Sequence, residues 1–417
     1  MMETTSAQLW IAAVWTFVFA FERWAELLNL HSAKNPLPEE LSLIQSPDEH
    51  QKAFNYLSDR TRPAWLRETL MFLGFLGMLF FGGFERVYQW SIQFSENTVV
   101  QGLIFGAILS ILQGLISLPF SYHSTFVIEE KYGFNRTTLK TFITDLLKGM
   151  LVGTVLGGLL FWFAVSFFVK LGPNAWLMIW LGYAAFQIFI TWIAPVTLLP
   201  LFMKLSPLAE GELKAGIEKY SKEQNFKLDG VWVCDASKRS AKSNAFFTGF
   251  GKFRRLVLFD TLIAKHPASE IVSVVAHEAG HFKLGHIWKS SLFSLATSFV
   301  LLWMVQKLID SPELYLSFGI FPPHVGVGLI LALMVLGKGM FFFQFVSSAF
   351  SRKNEFEADS FSLKTYAQSE ALISALKRLT TDNLAILNPH PLYVKLFASH
   401  PPLVQRMQAI RDLSKPS

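Results

Sequence analysis

Long apolar stretches alternate with charged loops along the chain, and that pattern predicts membrane helices. A helix needs about 20 mostly apolar residues to cross the hydrocarbon core. Val99 to Phe120, Met150 to Val169 and Leu171 to Met203 reach that length without a charge, the last using Leu171 to Asn174 as a turn. Ala7 to Leu28 and Leu66 to Phe84 need polar or charged ends to fill out the length, which snorkelling tolerates. Ser290 to Gln306 is short but bounded by Lys289 and Lys307. Val325 to Phe350 is interrupted by Lys338, whose side chain must face water or the protein interior. Seven spans are therefore expected, the first retained, because Ala7 to Phe21 has no basic stretch before it and no small-residue cleavage pattern after it.

The loops test that order. Those after spans one and three carry Lys34, Lys52, Arg60, Arg62 and Arg67, then Lys131, Arg136, Lys140 and Lys148, whereas the opposite side carries Arg86, Lys170 and Lys307. The positive-inside rule puts the N-terminus outside the cytoplasm and the C-terminus inside it. The expected division is 1–203 for spans one to five and their cytoplasmic loops, 204–289 for a cytoplasmic segment, 290–350 for spans six and seven, and 351–417 for a C-terminal cytoplasmic segment. Within the second of these, Glu212 to Lys222 and Ala268 to Lys289 read as helices, and Val231 to Cys234 and Arg255 to Phe259 as short strands; in the tail, Ser369 to Leu379 reads as a helix.

Composition agrees with a bilayer partner: 52% of the 417 residues are hydrophobic and 16% charged, against about 25% charged in a soluble domain. The net charge of +6 does not point to nucleic acid, since the basic residues are scattered through polar loops instead of gathered in a stripe. The lone Cys234 excludes an intrachain disulfide and any multi-cysteine metal site.

Chemistry enters at His277-Glu278-Ala279-Gly280-His281, an H-E-x-x-H pattern inside a predicted helix. Residues four apart share a helical face, so both imidazoles can reach one Zn2+ while Glu278 stands beside it as a base for the attacking water. Gly280 in mid-helix costs about 1 kcal/mol relative to alanine, which asks for a close-packing or metal-site reason. His286, five residues past His281, is expected on a different face with a structural role. Two histidines do not complete a site. The candidate third ligand is Glu355, just beyond the last span; Asp359, four residues on, can fix a ligand imidazole, and Glu357 falls on the solvated side.

With these residues in place, the chain resembles the CaaX prenyl protease family of integral-membrane zinc metallopeptidases. The likeness runs through Pro119 to Tyr122, Thr125 to Asn135, Ser243 to Gly249, His277 to His286, Glu355 to Asp359 and Ser399 to Leu403. It implies an all-α membrane protein with seven transmembrane helices around a large internal chamber and a mainly helical zinc metallopeptidase domain whose site faces the cytoplasm. It also implies catalytic roles for Glu278 and His400, the latter donating to the oxyanion. Asn244 would bind substrate backbone, with Arg406 orienting that part of the substrate site. The implied activity is a zinc endopeptidase that removes the last three residues of prenylated CaaX proteins or peptides, acting as a monomer in the bacterial inner membrane or the endoplasmic reticulum. The alternative is a general membrane-protein quality-control metalloprotease indifferent to prenyl groups. A receptor or transporter with a structural metal has no use for Glu278.

Overall fold

The computed structural model of the chain describes residues 5–225, 228–248 and 255–415, apart from the side chains of 195 and 196. The first half is a run of helices: α1 (Ser6–Lys34), α2 (Glu39–Ser42), α3 (Pro47–Phe80), α4 (Gly83–Gln93), α5 (Thr98–His123), α6 (Leu139–Leu171) and α7 (Ala175–Phe202). Their starts are written locally: Ser46 and Glu49 close a capping box on α3, and Asn97 caps α5. The second half adds β1 (Leu205–Pro207), α8 (Glu212–Glu223), β2 (Val231–Cys234), β3 (Ala245–Thr248), β4 (Arg255–Phe259), α9 (Asp260–Lys265) and α10 (Ala268–Lys283). After these come α11 (His286–Ile309), α12 (Pro312–Ser317), α13 (Val325–Tyr366), α14 (Ser369–Asp382), α15 (Pro391–Phe397) and α16 (Leu403–Ser414).

The expectation of seven spans is overturned. Among the described residues, four helical stretches are long and apolar enough to cross a membrane: Thr98–Glu129, Leu139–Ala194, His286–Ile309 and Val325–Tyr366. A fifth is gained if α3 and α4, bent by 74° at their junction, count as one span. Two of the expected spans fall within the single stretch Leu139–Ala194, and α1 falls short because Gln8, Glu22, Arg23 and Glu26 dilute its apolar run. The protein is nonetheless a multi-pass membrane protein. Leu115, Leu151 and Leu159 stand outward and exposed on α5 and α6, as a lipid-facing surface requires.

Between α1, α7, α11 and α13 lies a cavity of about 800 Å³, lined by Ser294, Thr297, Ser298 and Gln344 among others. Lys338 and Glu22 face it and pair at 3.6 Å. The lysine in mid-helix thus meets an acidic partner at the cavity wall and not lipid.

The expected strands β2 and β4 are present and pair in parallel, inside a four-stranded sheet of order β1-β2-β4-β3. Leu256 and Leu258 of β4 pack with Ile217 of α8 and with Ile271 and Val275 of α10 in one core. The helix expected over Ala268 to Lys289 is broken: Gly285, at φ 71°, ends α10 and starts α11. A left-handed residue is cheap only for glycine, so the turn sits there.

α10 packs more extensively on α13 than on any other element. Gly280 makes this possible, because a Cβ there would lie 3.0 Å from Ala358 Cα and 3.1 Å from its carbonyl oxygen. Backbone cannot yield as a flexible side chain does. Gly280→Ala should therefore lower stability by about 1–3 kcal/mol despite its better helix propensity, seen as a lower midpoint of thermal unfolding in detergent; an unchanged midpoint would show that the two helices part freely.

Candidate metal centre

His277 and His281 lie one turn apart on α10 and face Glu355 on α13. Their Nε2 atoms are 3.2 Å apart; His281 Nε2 is 3.2 Å from Glu355 Oε1, and His277 Nε2 is 3.5 Å from Glu355 Oε2. Among the described residues, these three form the group of acidic, histidine or cysteine side chains whose ligand atoms all lie within 4.8 Å of one another.

The donor set fits a cation for a reason visible in its protons. Asp359 Oδ1 lies 2.8 Å from His277 Nδ1, and a carboxylate there accepts, so Nδ1 carries the proton and Nε2 presents a lone pair. Glu355 Oε2 is buried and accepts no well-aligned hydrogen bond, its near neighbours being the Arg406 guanidinium and His277 Nε2. Lone pairs thus converge on a space shielded from water. Burial pulls the His277 pKa down, but Asp359 and Glu355 outweigh it and lift it to about 9: without a metal the site takes up a proton on Nε2, and a bound cation would replace that proton. Two imidazoles and one carboxylate are a catalytic zinc set, which leaves a coordination position for water.

Arg406, from α16, is buried and holds the carboxylates in place. Its Nε and Nη2 donate to Asp359 Oδ2 and Oδ1 at 2.8 and 2.7 Å, and its Nη1 lies 3.2 Å from Glu355 Oε2. Such a two-pronged contact fixes orientation as well as charge. Glu278 points into a cleft of about 490 Å³ that it shares with His281, Phe246 and Phe247. Burial pushes its carboxyl above the ordinary value, toward the range suited to a group that takes and returns a proton near neutrality.

His400 is exposed, with Nε2 3.4 Å from Glu355 Oε1. Asn244 is exposed just before β3, and its Oδ1 accepts from the Ala245 N–H at 2.9 Å. The loop leading to it is braced by the Pro119 to Asn135 region. Ala241 N–H donates to the Phe134 carbonyl at 3.0 Å, Lys242 Nζ donates to Tyr56 Oη at 2.6 Å, and Lys242 pairs with Glu129 at 3.0 Å.

Three residues that touch this machinery are not identified from sequence. His286 lies 2.9 Å from His281 through their Nδ1 atoms, and Glu357 lies 3.0 Å from His286 Nε2, so neither the different face nor the solvated side expected for them holds. The signal was Gly285, a helix stop. Arg352 Nη1 donates to the carbonyls of Val394 and Ala398 at 2.8 and 2.9 Å, tying α13 to the segment that carries His400.

Residues 26–204 match the family model described as CAAX prenyl protease N-terminal, five membrane helices, and residues 207–414 match Peptidase family M48. The probable CAAX prenyl protease 1 of Schizosaccharomyces pombe is 35% identical over 375 residues, 87% of this chain and 79% of that one. The chain belongs to the CaaX prenyl protease family. The CAAX prenyl protease 1 homolog of Arabidopsis thaliana is 34% identical over 407 residues, 94% of this chain and 95% of that one. The crystal structure of S. mikatae Ste24p matches with a TM-score of 0.92 at 30% identity, covering 98% of this chain and 99% of that one. Family membership and the His/His/Glu cluster make this chain a membrane zinc metalloendopeptidase acting on a membrane-associated peptide.

Metal content separates the roles within the family's site. His281→Ala and Glu355→Ala should each weaken zinc binding, while Glu278→Gln, which removes a base and no ligand, should keep about one zinc per chain. Elemental analysis of purified protein checks this; full zinc in Glu355→Ala, or none in Glu278→Gln, contradicts the assignment.

Proposed function

We propose that this chain releases the C-terminal tripeptide from prenylated CaaX proteins or peptides. The observation that carries the reading is the convergence of His277, His281 and Glu355, with Glu278 beside them, in a membrane protein of this family. When bound, zinc supplies Lewis-acid polarisation of water and of the scissile carbonyl. Glu278 takes the proton of the attacking water and returns it to the leaving amine. His400, on an exposed segment beside Glu355, donates to the developing oxyanion. Arg406 holds Asp359 and Glu355 so that the ligands keep their orientation, and in doing so shapes the substrate side of the site.

The edge strand β3 lies beside α10, and Phe246 and Phe247 of β3 line the cleft with Glu278. An edge strand offers backbone groups for an extended peptide, and Asn244, exposed just before it, would add an amide contact. Ser290, Ser294 and Ser351 line both this cleft and the cavity between the helices. That shared wall gives an isoprenoid tail a route from the site into the bundle while the peptide lies on β3.

The same reading keeps the division of the chain at 203/204, 289/290 and 350/351, places the site toward the cytoplasm on the excess of Lys and Arg in the loops of that side, and needs one copy of the chain, since all the groups named come from a single copy. The host's compartment is the bacterial inner membrane or the endoplasmic reticulum.

Matched farnesylated and unmodified CaaX peptides test the reading on detergent-purified protein. Burying two or three prenyl carbons at about 0.8 kcal/mol each predicts a preference of about 10-fold or more in kcat/KM for the farnesylated peptide. Glu278→Gln should lower kcat by about 10²–10⁴. Equal cleavage of both peptides, together with cutting of unprenylated membrane proteins, would replace this reading with a quality-control protease.

A further inference from the structure

His286 is 3% exposed, and both of its ring nitrogens face other side chains. Its Nε2 lies 3.0 Å from Glu357 Oε2 and its Nδ1 lies 2.9 Å from His281 Nδ1. A carboxylate only accepts, so the Nε2 proton belongs to His286. In a neutral imidazole Nδ1 is then a bare acceptor, and the proton between the two Nδ1 atoms belongs to His281. The remaining nitrogen of His281, Nε2, is left with its lone pair directed at His277 Nε2 and Glu355 Oε1, each 3.2 Å away.

This is what Asp359 does for His277 with one direct contact of 2.8 Å. His281 has no carboxylate so close, and an imidazole spans the gap. The geometry depends on Gly285. On an unbroken helix, five residues of rotation would carry His286 well away from His281; the left-handed turn at φ 71° brings it back. Glu357 is itself paired with Lys353 at 3.7 Å and Lys289 at 3.9 Å.

We propose that Glu357 and His286 form a positioning relay that fixes the metal-binding tautomer and ring orientation of His281. The relay rests on the zinc site proposed above. It assigns His286 a positioning role: it is not one of the three ligand side chains, and it acts through its contact with His281.

The test is zinc affinity of the full-length, detergent-solubilised protein by chelator competition, with the visible spectrum of the cobalt-substituted protein alongside. Partners of this kind are worth about 10–100-fold in metal affinity, so His286→Phe, which keeps the ring volume and loses the acceptor, should bind zinc about 10–100-fold more weakly and shift the cobalt absorption bands. His286→Gln offers a carbonyl oxygen to His281 and an amide to Glu357, and should recover most of the affinity and the wild-type spectrum. Glu357→Ala, at a half-buried position that tolerates truncation, should lower affinity severalfold without further loss in combination with His286→Phe. Wild-type zinc affinity in His286→Phe, or equal losses in the Phe and Gln variants, would overturn the relay. Failure of the zinc reading itself looks different: wild-type protein without zinc, or His281→Ala retaining it.

Discussion

Two imidazoles and a carboxylate meet at the edge of a cleft, close enough that only a proton or a metal ion can sit between them. Everything else in the protein bears on that crowding. In a low-dielectric interior such an arrangement is unfavourable unless positive charge enters it, so the helices that force the three side chains together also create the demand for zinc. The closest approach is at Gly280 against the backbone of Ala358, where a side chain on α10 would require α13 to give by a few tenths of an ångström. Arg406 then offsets the remaining negative charge of Asp359 and Glu355.

The membrane helices are continuous with this chemistry. α13 passes from a stretch of membrane-spanning length straight into Glu355 and Asp359, and α11 begins at the residue that touches His281. The site is therefore anchored in the helices that border the cavity holding Lys338 and Glu22, and the serines lining both the cavity and the cleft lie on those same two helices. Metal site and cavity thus share the same two helices, which suits an enzyme that acts on a membrane-associated peptide.

What could be read from sequence was what local spacing encodes. His277 and His281 are a turn apart, Glu355 and Asp359 are a turn apart, and β2 and β4 are short apolar runs; each pattern is readable in the local sequence and is present in the structure. The failures are non-local or cumulative. Span counting took apolar runs one at a time, whereas the charges in α1 and the fusion of two runs into Leu139–Ala194 reduce seven to four or five. His286 and Glu357 were misplaced because one residue, Gly285, redirects the chain and because their meeting depends on α10 lying against α13. Arg352 was invisible because its acceptors are backbone carbonyls 42 and 46 residues on, which any residue type supplies.

The central claim is that one zinc is held by His277, His281 and Glu355. Anomalous diffraction at the zinc absorption edge from crystals of the metal-replete protein tests it most directly. A single strong peak should lie about 2.0–2.2 Å from Nε2 of both histidines and from a carboxylate oxygen of Glu355. A peak bound by other side chains, or no peak at the cluster, would contradict the account.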